Sequence, residues 1–228
     1  ARAARVIDAR YEVPFLAHAT MEPMNCTAKV DREGCDLWAP TQAPTRLRDA
    51  VAAALDLPLE RVRVHVPLLG GGFGRRYEED VGLQAARVAH AVGRPVKLIW
   101  SREQDIRHDF YRPAYAIRMQ AALDSKGDPE ALGLHVAGPR YWTRDVAPWL
   151  RRAVDQLQAA IGSGLVPEAL PDALEYRFPR WVRSAGDGLA MGGTDDLGYR
   201  LPHQRCAFSS VDCLVPIGWW RSVSGSQN

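Results

Sequence analysis

Alternation of apolar and polar positions divides the chain into short elements. Ala9 to Phe15 alternates and is ended by proline chemistry at Pro14, so it reads as a strand. Asn25 to Val30 alternates again, the turn residues Asp31, Arg32, Glu33 and Gly34 follow, and Cys35 to Trp38 forms the return strand of a hairpin. From Thr41 the period changes to that of a helix. Thr41 is the expected N-cap, Pro44 lies in the first turn, and Leu47, Val51, Ala54 and Leu55 form the apolar stripe before Leu57 and Pro58 end it. Val62, Val64 and Val66 mark the next strand. After a glycine run, Val81, Ala85, Val88, Ala89 and Val92 line one face of a second helix, which Gly93 terminates; Pro95 then opens a strand from Val96 to Trp100. Strand, glycine loop, helix and strand together make a βαβ pattern.

The second half is less regular. Residues 114–123 and 131–138 read as long strands joined by the turn-rich segment Asp124 to Pro129. A helix is expected over about 145–160, loops with one short helix over 162–200, and a strand from Cys206 to Val215. Helices and strands are mixed, with a crossover and a hairpin, so the fold class is α+β (mixed α/β). The chain ends on Trp219, Trp220 and Arg221 followed by a Ser/Gly-rich polar turn. Such a sequence is expected inside a longer protein rather than at a mobile domain end.

Composition adds exclusions. The 228 residues suffice for one large or two small domains, and 46% hydrophobic with 25% charged residues is ordinary for a globular protein. No apolar run reaches the length of a membrane-spanning helix. The 29 basic and 27 acidic residues are interspersed, which gives no reason to expect a nucleic-acid partner. Cys26, Cys35, Cys206 and Cys213 contain no C-x-x-C pair, so zinc and iron–sulfur ligation are not expected. Reduced, partly buried thiols are the simplest reading, with a disulfide as the alternative.

The candidate chemistry lies in Gly70, Gly71, Gly72, Phe73, Gly74, Arg75 and Arg76. Consecutive glycines remove every side chain from a strand-to-helix turn, let the backbone approach a ligand, and permit positive φ. A following helix N-terminus would add unpaired N–H groups suited to anionic oxygens. Dinucleotide loops of the G-x-G-x-x-G type need an acid about 20 residues on. The spacing here is too long, and Phe73 does not suit a pyrophosphate turn. A P-loop needs Gly-Lys-Ser/Thr, which Gly74, Arg75 and Arg76 do not provide.

Four segments, in order, carry a resemblance. They are His18-Ala19-Thr20-Met21-Glu22-Pro23-Met24-Asn25-Cys26-Thr27-Ala28, Trp38-Ala39-Pro40-Thr41-Gln42, the glycine loop with Arg75-Arg76, and Trp220-Arg221-Ser222-Val223 with Ser226-Gln227-Asn228. Together they resemble the molybdenum hydroxylases of the xanthine dehydrogenase and aldehyde oxidoreductase family. Within that family they resemble the beta, molybdenum-binding, subunits of the isoquinoline 1-oxidoreductase type, a branch that includes membrane-associated aldehyde dehydrogenases. The resemblance is dense over 9–142 and 199–228. It implies a partial molybdopterin-binding region, with 1–142 carrying the first pterin loop and 143–228 the start of a second pterin-contacting segment.

The implied chemistry is oxidation of an N-heteroaromatic compound or an aldehyde, with water as the oxygen source. The implied cofactor is molybdopterin cytosine dinucleotide, whose dithiolene holds the molybdenum without a protein ligand. The resemblance gives Gln42 a hydrogen bond to a terminal oxygen of the metal centre, Gly71 and Gly72 the close-approach positions, Phe73 and Gly74 the loop contacts, and Arg221 a place beside the cofactor. Glu22 falls in a shared motif but is expected to be a structural carboxylate. Ser224 and Gly225 stand where the family has a Gly-His pair. The implied partners are the remainder of the molybdenum subunit, an iron–sulfur subunit that takes the electrons, and a small-molecule substrate. The family's general base is a glutamate in a glycine-rich motif not matched here, and Glu168 and Glu175 lie in the wrong region. The alternative is a non-catalytic folded module that binds a partner or subunit. The isolated chain is therefore expected to be inactive and free of molybdenum. Near-stoichiometric molybdenum in the purified 228-residue protein, measured by mass spectrometry, would overturn this.

Overall fold

A computed structural model describes residues 3–140, 190–192, 194, 198–199, 201–211 and 213–221. The expected helix at 145–160 and most of the 162–200 segment lie outside the described residues. The chain divides into two compact units, one built from residues 1–14, 113–214 and 222–228, the other from 15–112 and 215–221.

The second unit holds a four-stranded sheet built from β2 (Asn25–Asp31), β3 (Gly34–Trp38), β4 (Val62–His65) and β5 (Val96–Ile99) in the order β4-β3-β2-β5. β2 and β3 are the expected antiparallel hairpin, with Val30 opposite Cys35. β3 pairs in parallel with β4, the connection between them being α1 (Pro44–Leu55). β5 pairs antiparallel with the far side of β2. The βαβ segment carrying the glycine loop therefore runs from one sheet edge to the other, through α2 (Asp80–Val92), with β4 and β5 parallel but separated by two strands. The parallel pairing adjacent in space is β3–α1–β4, which periodicity alone does not specify.

Cys26, Ala28, Cys35, Leu37 and Val62 face the two helices and are buried, while Lys29, Trp38, Arg63 and Ile99 occupy the more open face. This is the alternation expected of a sheet covered on one side. The helical stripes are rotated from the expected ones. In α1 the buried positions are Leu47, Val51 and Ala52, and Ala54 is exposed. In α2 they are Val81, Gly82, Ala85, Ala86 and Ala89, whereas Val88 and Val92 are exposed. Small residues explain the rotation: a Cβ on Gly82 would lie 2.4 Å from Leu47 Cδ1, so the two helices meet across a glycine. The N-cap of α1 is Ala43, not Thr41. Pro44 at the first helical position has no N–H to satisfy, and Thr41 Oγ1 instead accepts from Ala43 N–H at 3.0 Å and donates to the Arg76 carbonyl at 3.0 Å.

The fourth strand ends at His65 and the fifth at Ile99. A short α3 (Arg102–Arg107), not anticipated, follows Ser101, whose Oγ accepts from Gln104 N–H. The cysteines are free thiols. Burial pushes Cys26 up to about 12 and Cys35 up to about 11, so both behave as small apolar side chains in the sheet core.

The first unit holds β1 (Arg5–Val13), β6 (Tyr115–Leu123), β7 (Pro129–Gly138) and β8 (His203–Ser210), in the order β1-β6-β7-β8. β1 starts earlier than expected and is exposed along most of its length, so its pattern carries little core signal. β6 and β7 form the expected hairpin, and β8 runs parallel to β7. β8 ends at Ser210, and Cys213 lies exposed beyond it rather than in a strand. Tyr115, Leu134, Val136 and Ala190 form this unit's core.

Leu37 is fully buried at the centre of the sheet–helix core. Leu37→Ala is expected to cost about 2–5 kcal/mol, seen as a lower urea midpoint at unchanged m-value.

Candidate functional site

The glycine loop is fixed by the side chain of a buried arginine. Arg76, whose side chain is 2% exposed, donates from Nε to the Gly71 carbonyl at 2.6 Å, from Nη1 to the Pro40 carbonyl at 3.3 Å, and from Nη2 to the Glu22 carbonyl and Oε2, both at 2.8 Å. Its own carbonyl accepts from Gln42 N–H at 2.9 Å and from the Thr41 hydroxyl. One residue thus ties together the segments around Glu22, Pro40–Gln42 and Gly71. Burial lowers the Arg76 pKa more than the Glu22 and Asp105 charges raise it, yet a guanidinium stays protonated.

Glu22 continues the support. Its Oε2 accepts Gly70 N–H at 2.9 Å, its Oε1 accepts from Asn25 Nδ2 at 2.8 Å, and its own N–H donates to the Gly70 carbonyl at 3.1 Å. A Cβ on Gly70 would sit 2.3 Å from Glu22 Cβ, so only glycine allows this approach. Burial pushes the Glu22 carboxyl up, but the Gly70 and Asn25 hydrogen bonds and the Arg76 charge outweigh it and hold the carboxyl below its ordinary value.

The residues singled out from the sequence come together here. Gln42 Oε1 accepts Gly74 N–H at 3.1 Å, which turns the carboxamide NH₂ away from the loop backbone. A Cβ on Gly72 would lie 2.5 Å from Gln42 Oε1, and Gly71 adopts φ +99°. Phe73 also has positive φ, +56°, and is 43% exposed, so it is not a core aromatic. Gly74 adopts φ +107°, and a Cβ there would meet the Trp219 carbonyl at 2.0 Å. Arg221 N–H donates to the Phe73 carbonyl at 2.7 Å, and its guanidinium lies 5.1 Å from the Phe73 ring centroid.

The helix terminus does not take the role expected of it. A 3₁₀ turn over Arg75–Tyr77 and two glutamates separate Gly74 from α2. The first helical residue, Asp80, receives the Arg75 guanidinium through two hydrogen bonds of 3.1 and 2.8 Å. The start of α2 is therefore complemented by its own acid and a buried cation, and the cradle is the glycine loop itself. Among the described residues, no group of three or more His, Cys, Asp or Glu side chains gathers as a metal site. Sequence reasoning placed Glu22 and Arg76 in shared motifs without their pairing. An invariably charged Arg next to a glycine run was the available signal.

A flat anionic group fits this cradle on its geometry. Gly71 and Gly72 bring the loop backbone against the Phe73 ring and the Gln42 amide, closer than a side chain would allow at Gly72; that amide supplies an uncharged donor, and the Phe73 ring and Arg221 guanidinium flank the same loop.

The fold is that of the molybdenum hydroxylases. At 16% identity and a TM-score of 0.65, the structure matches the aldehyde oxidoreductase of Desulfovibrio gigas over 97% of this chain and 21% of that one. Quinoline 2-oxidoreductase from Pseudomonas putida 86 matches at 20% identity and TM-score 0.63, over 97% of this chain and 24% of that one. Residues 1–157 match the molybdopterin cofactor-binding domain family, and the chain belongs to it. It is 36% identical over 140 residues to the beta subunit of isoquinoline 1-oxidoreductase from Brevundimonas diminuta, covering 60% of this chain and 18% of that protein. It is 29% identical over 217 residues to a membrane-bound aldehyde dehydrogenase [pyrroloquinoline-quinone] of Gluconacetobacter polyoxogenes, covering 88% of this chain and 28% of that protein. The chain thus spans less than a third of the length of these relatives.

Two predictions follow from the site's geometry. Gly74→Ala meets both a positive φ and a backbone oxygen, so it is expected to cost more than about 2 kcal/mol and to lower the thermal midpoint. Because Glu22 has a lowered pKa, its contribution is fully present above the ordinary glutamate range and is lost as the pH falls through the lowered value. Glu22→Gln removes that part of the acid dependence, measured by urea unfolding between pH 3 and 7; an unchanged pH profile contradicts it.

Proposed function

We propose that this chain supplies one wall of a molybdenum–pterin site in an oxidoreductase that oxidises an N-heteroaromatic compound or an aldehyde. The observation that carries the reading is the convergence of Gln42, Gly71, Gly72, Phe73, Gly74 and Arg221, drawn from three separated segments, around one side-chain-free loop. When bound, the cofactor supplies the two-electron redox chemistry and the electrophilic metal. The protein's part is orientation. Gln42 would donate its carboxamide N–H to a terminal oxygen of the metal centre without adding charge. Gly71 and Gly72 would let the pterin lie against backbone, and Phe73 would cover it. Arg221, held on the Phe73 carbonyl, would place a cation beside the anionic part of the cofactor. The cytosine dinucleotide form is the proposed cofactor, and no residue of this chain is assigned as general base.

Residues 1–142 carry the first pterin loop in this reading, and 143–228 begin the second contacting segment. The remainder of the molybdenum subunit and an iron–sulfur subunit are the proposed partners. Relatives are themselves named as subunits. Met21 and Leu68, 89% and 97% exposed, stand beside the loop as apolar surface suited to burial against such a partner. The rival is a non-catalytic module whose loop serves packing or binds a partner subunit; a buried Phe73 would favour the packing form, and Phe73 is exposed.

The test uses the full-length subunit that contains this segment. Molybdenum by mass spectrometry and CMP released by acid hydrolysis are both expected near one per chain, with at least tenfold less of each retained in Gly72→Val. A subunit without molybdenum sinks the reading, and a different nucleotide sinks the cytosine form.

A further inference from the structure

His18 lies beneath the same loop with its side chain fully buried. Its Nδ1 is 3.0 and 3.1 Å from the two carboxylate oxygens of Asp109, and its backbone N–H donates to the same carboxylate. Its Nε2 is 2.8 Å from the Trp219 carbonyl oxygen, and its ring lies 4.6 Å from that of Trp220. Both ring nitrogens thus face groups that only accept. A neutral imidazole has one N–H and one lone pair, so one of these contacts would set a lone pair against an oxygen. Only the imidazolium donates to both.

Asp109 is shared. Arg75 Nε lies 3.1 Å from Asp109 Oδ1 and its two terminal nitrogens are on Asp80, so His18 and Arg75 both face Asp109 while Arg75 also reaches Asp80. Asp105, the next acid of α3, is paired with Arg102 at 2.7 Å. Arg112 stands 5.6 Å from the Trp220 ring centroid.

The Trp219 carbonyl that His18 holds is the atom a Gly74 Cβ would strike, and two residues later Arg221 N–H reaches the Phe73 carbonyl. We propose that His18 is a positioning residue, a latch that acts through the Trp219 carbonyl to set Arg221 and Phe73 against each other on the glycine loop. The proposal deepens the cofactor reading and rests on it for its functional meaning. Its physical content is separate: removing the ring that bridges Asp109 and the Trp219 carbonyl frees the 219–221 segment, while the sheet core stays intact.

The test uses the 228-residue chain with no cofactor. His18→Ala, which removes both ring contacts, is expected to reduce hydrogen-exchange protection of the Arg221 amide at least tenfold, with β2 unchanged. His18→Gln, which cannot span both acceptors, is expected to lose that protection too. Protection at Arg221 that survives in both variants, or that is lost together with protection of β2, overturns the latch. None of these readouts needs the cofactor. A latched chain in a full-length subunit that holds no molybdenum therefore overturns the cofactor reading alone.

Discussion

A glycine run has almost no conformational preference of its own, and the shape of this one is imposed by Arg76. Each glycine loses more backbone freedom on ordering than any other residue. The loop therefore needs external contacts strong enough to offset that loss. Arg76 provides them through a planar fork whose donors reach three backbone carbonyls and a carboxylate. Buried as it is, the guanidinium cannot be left partly satisfied without a penalty of several kcal/mol. The need to satisfy Arg76 is thus what brings Glu22, Pro40 and Gly71 to one place. Lysine, a point charge without the fork, could not make these bonds together.

The rest of the site is arranged in layers around that constraint. Glu22 and Asn25 hold the Gly70 end, Gln42 and the Trp219–Arg221 segment hold the Gly74 end, and Arg75 carries the next turn onto Asp80 and Asp109. Between these anchors the loop presents Gly71, Gly72 and the exposed Phe73 ring. Polar support lies on one side of the loop and the exposed Phe73 ring on the other. The sheet with α1 and α2 forms a separate apolar core whose packing places β4, and therefore the entry to the loop, at a sheet edge.

Local features of this fold were legible. The Asp31–Gly34 and Asp124–Pro129 turns marked both hairpins, and the Gly93 stop marked the end of α2, because turn and cap chemistry is encoded in adjacent residues. Adjacency in space was not. Nothing in the Val62–Val66 alternation says that β4 lies beside β3, or that β5 lies across β2. The buried faces of the helices differ from the apolar stripes because Gly82 and Ala86, which carry little hydrophobic signal, are buried. The Ser101–Gln104 cap spacing is readable in adjacent residues. In the site, the glycines and Gln42 came from motif resemblance, whereas the Glu22–Arg76 and His18–Asp109 pairs join residues 54 and 91 positions apart and leave no local trace.

The contact between His18 and Trp219 spans 201 positions of sequence. Closing so long a loop is an entropic event that local structure cannot hasten. During synthesis the sheet–helix core, contained in residues 15–112, has all its strands and helices available well before Trp219 leaves the ribosome. The glycine loop therefore spends that interval with its Glu22 and Arg76 supports in place and its Gly74 end open. Completion of the loop reports that the chain has been made through Arg221, so a truncated product keeps a folded core but lacks a finished cradle.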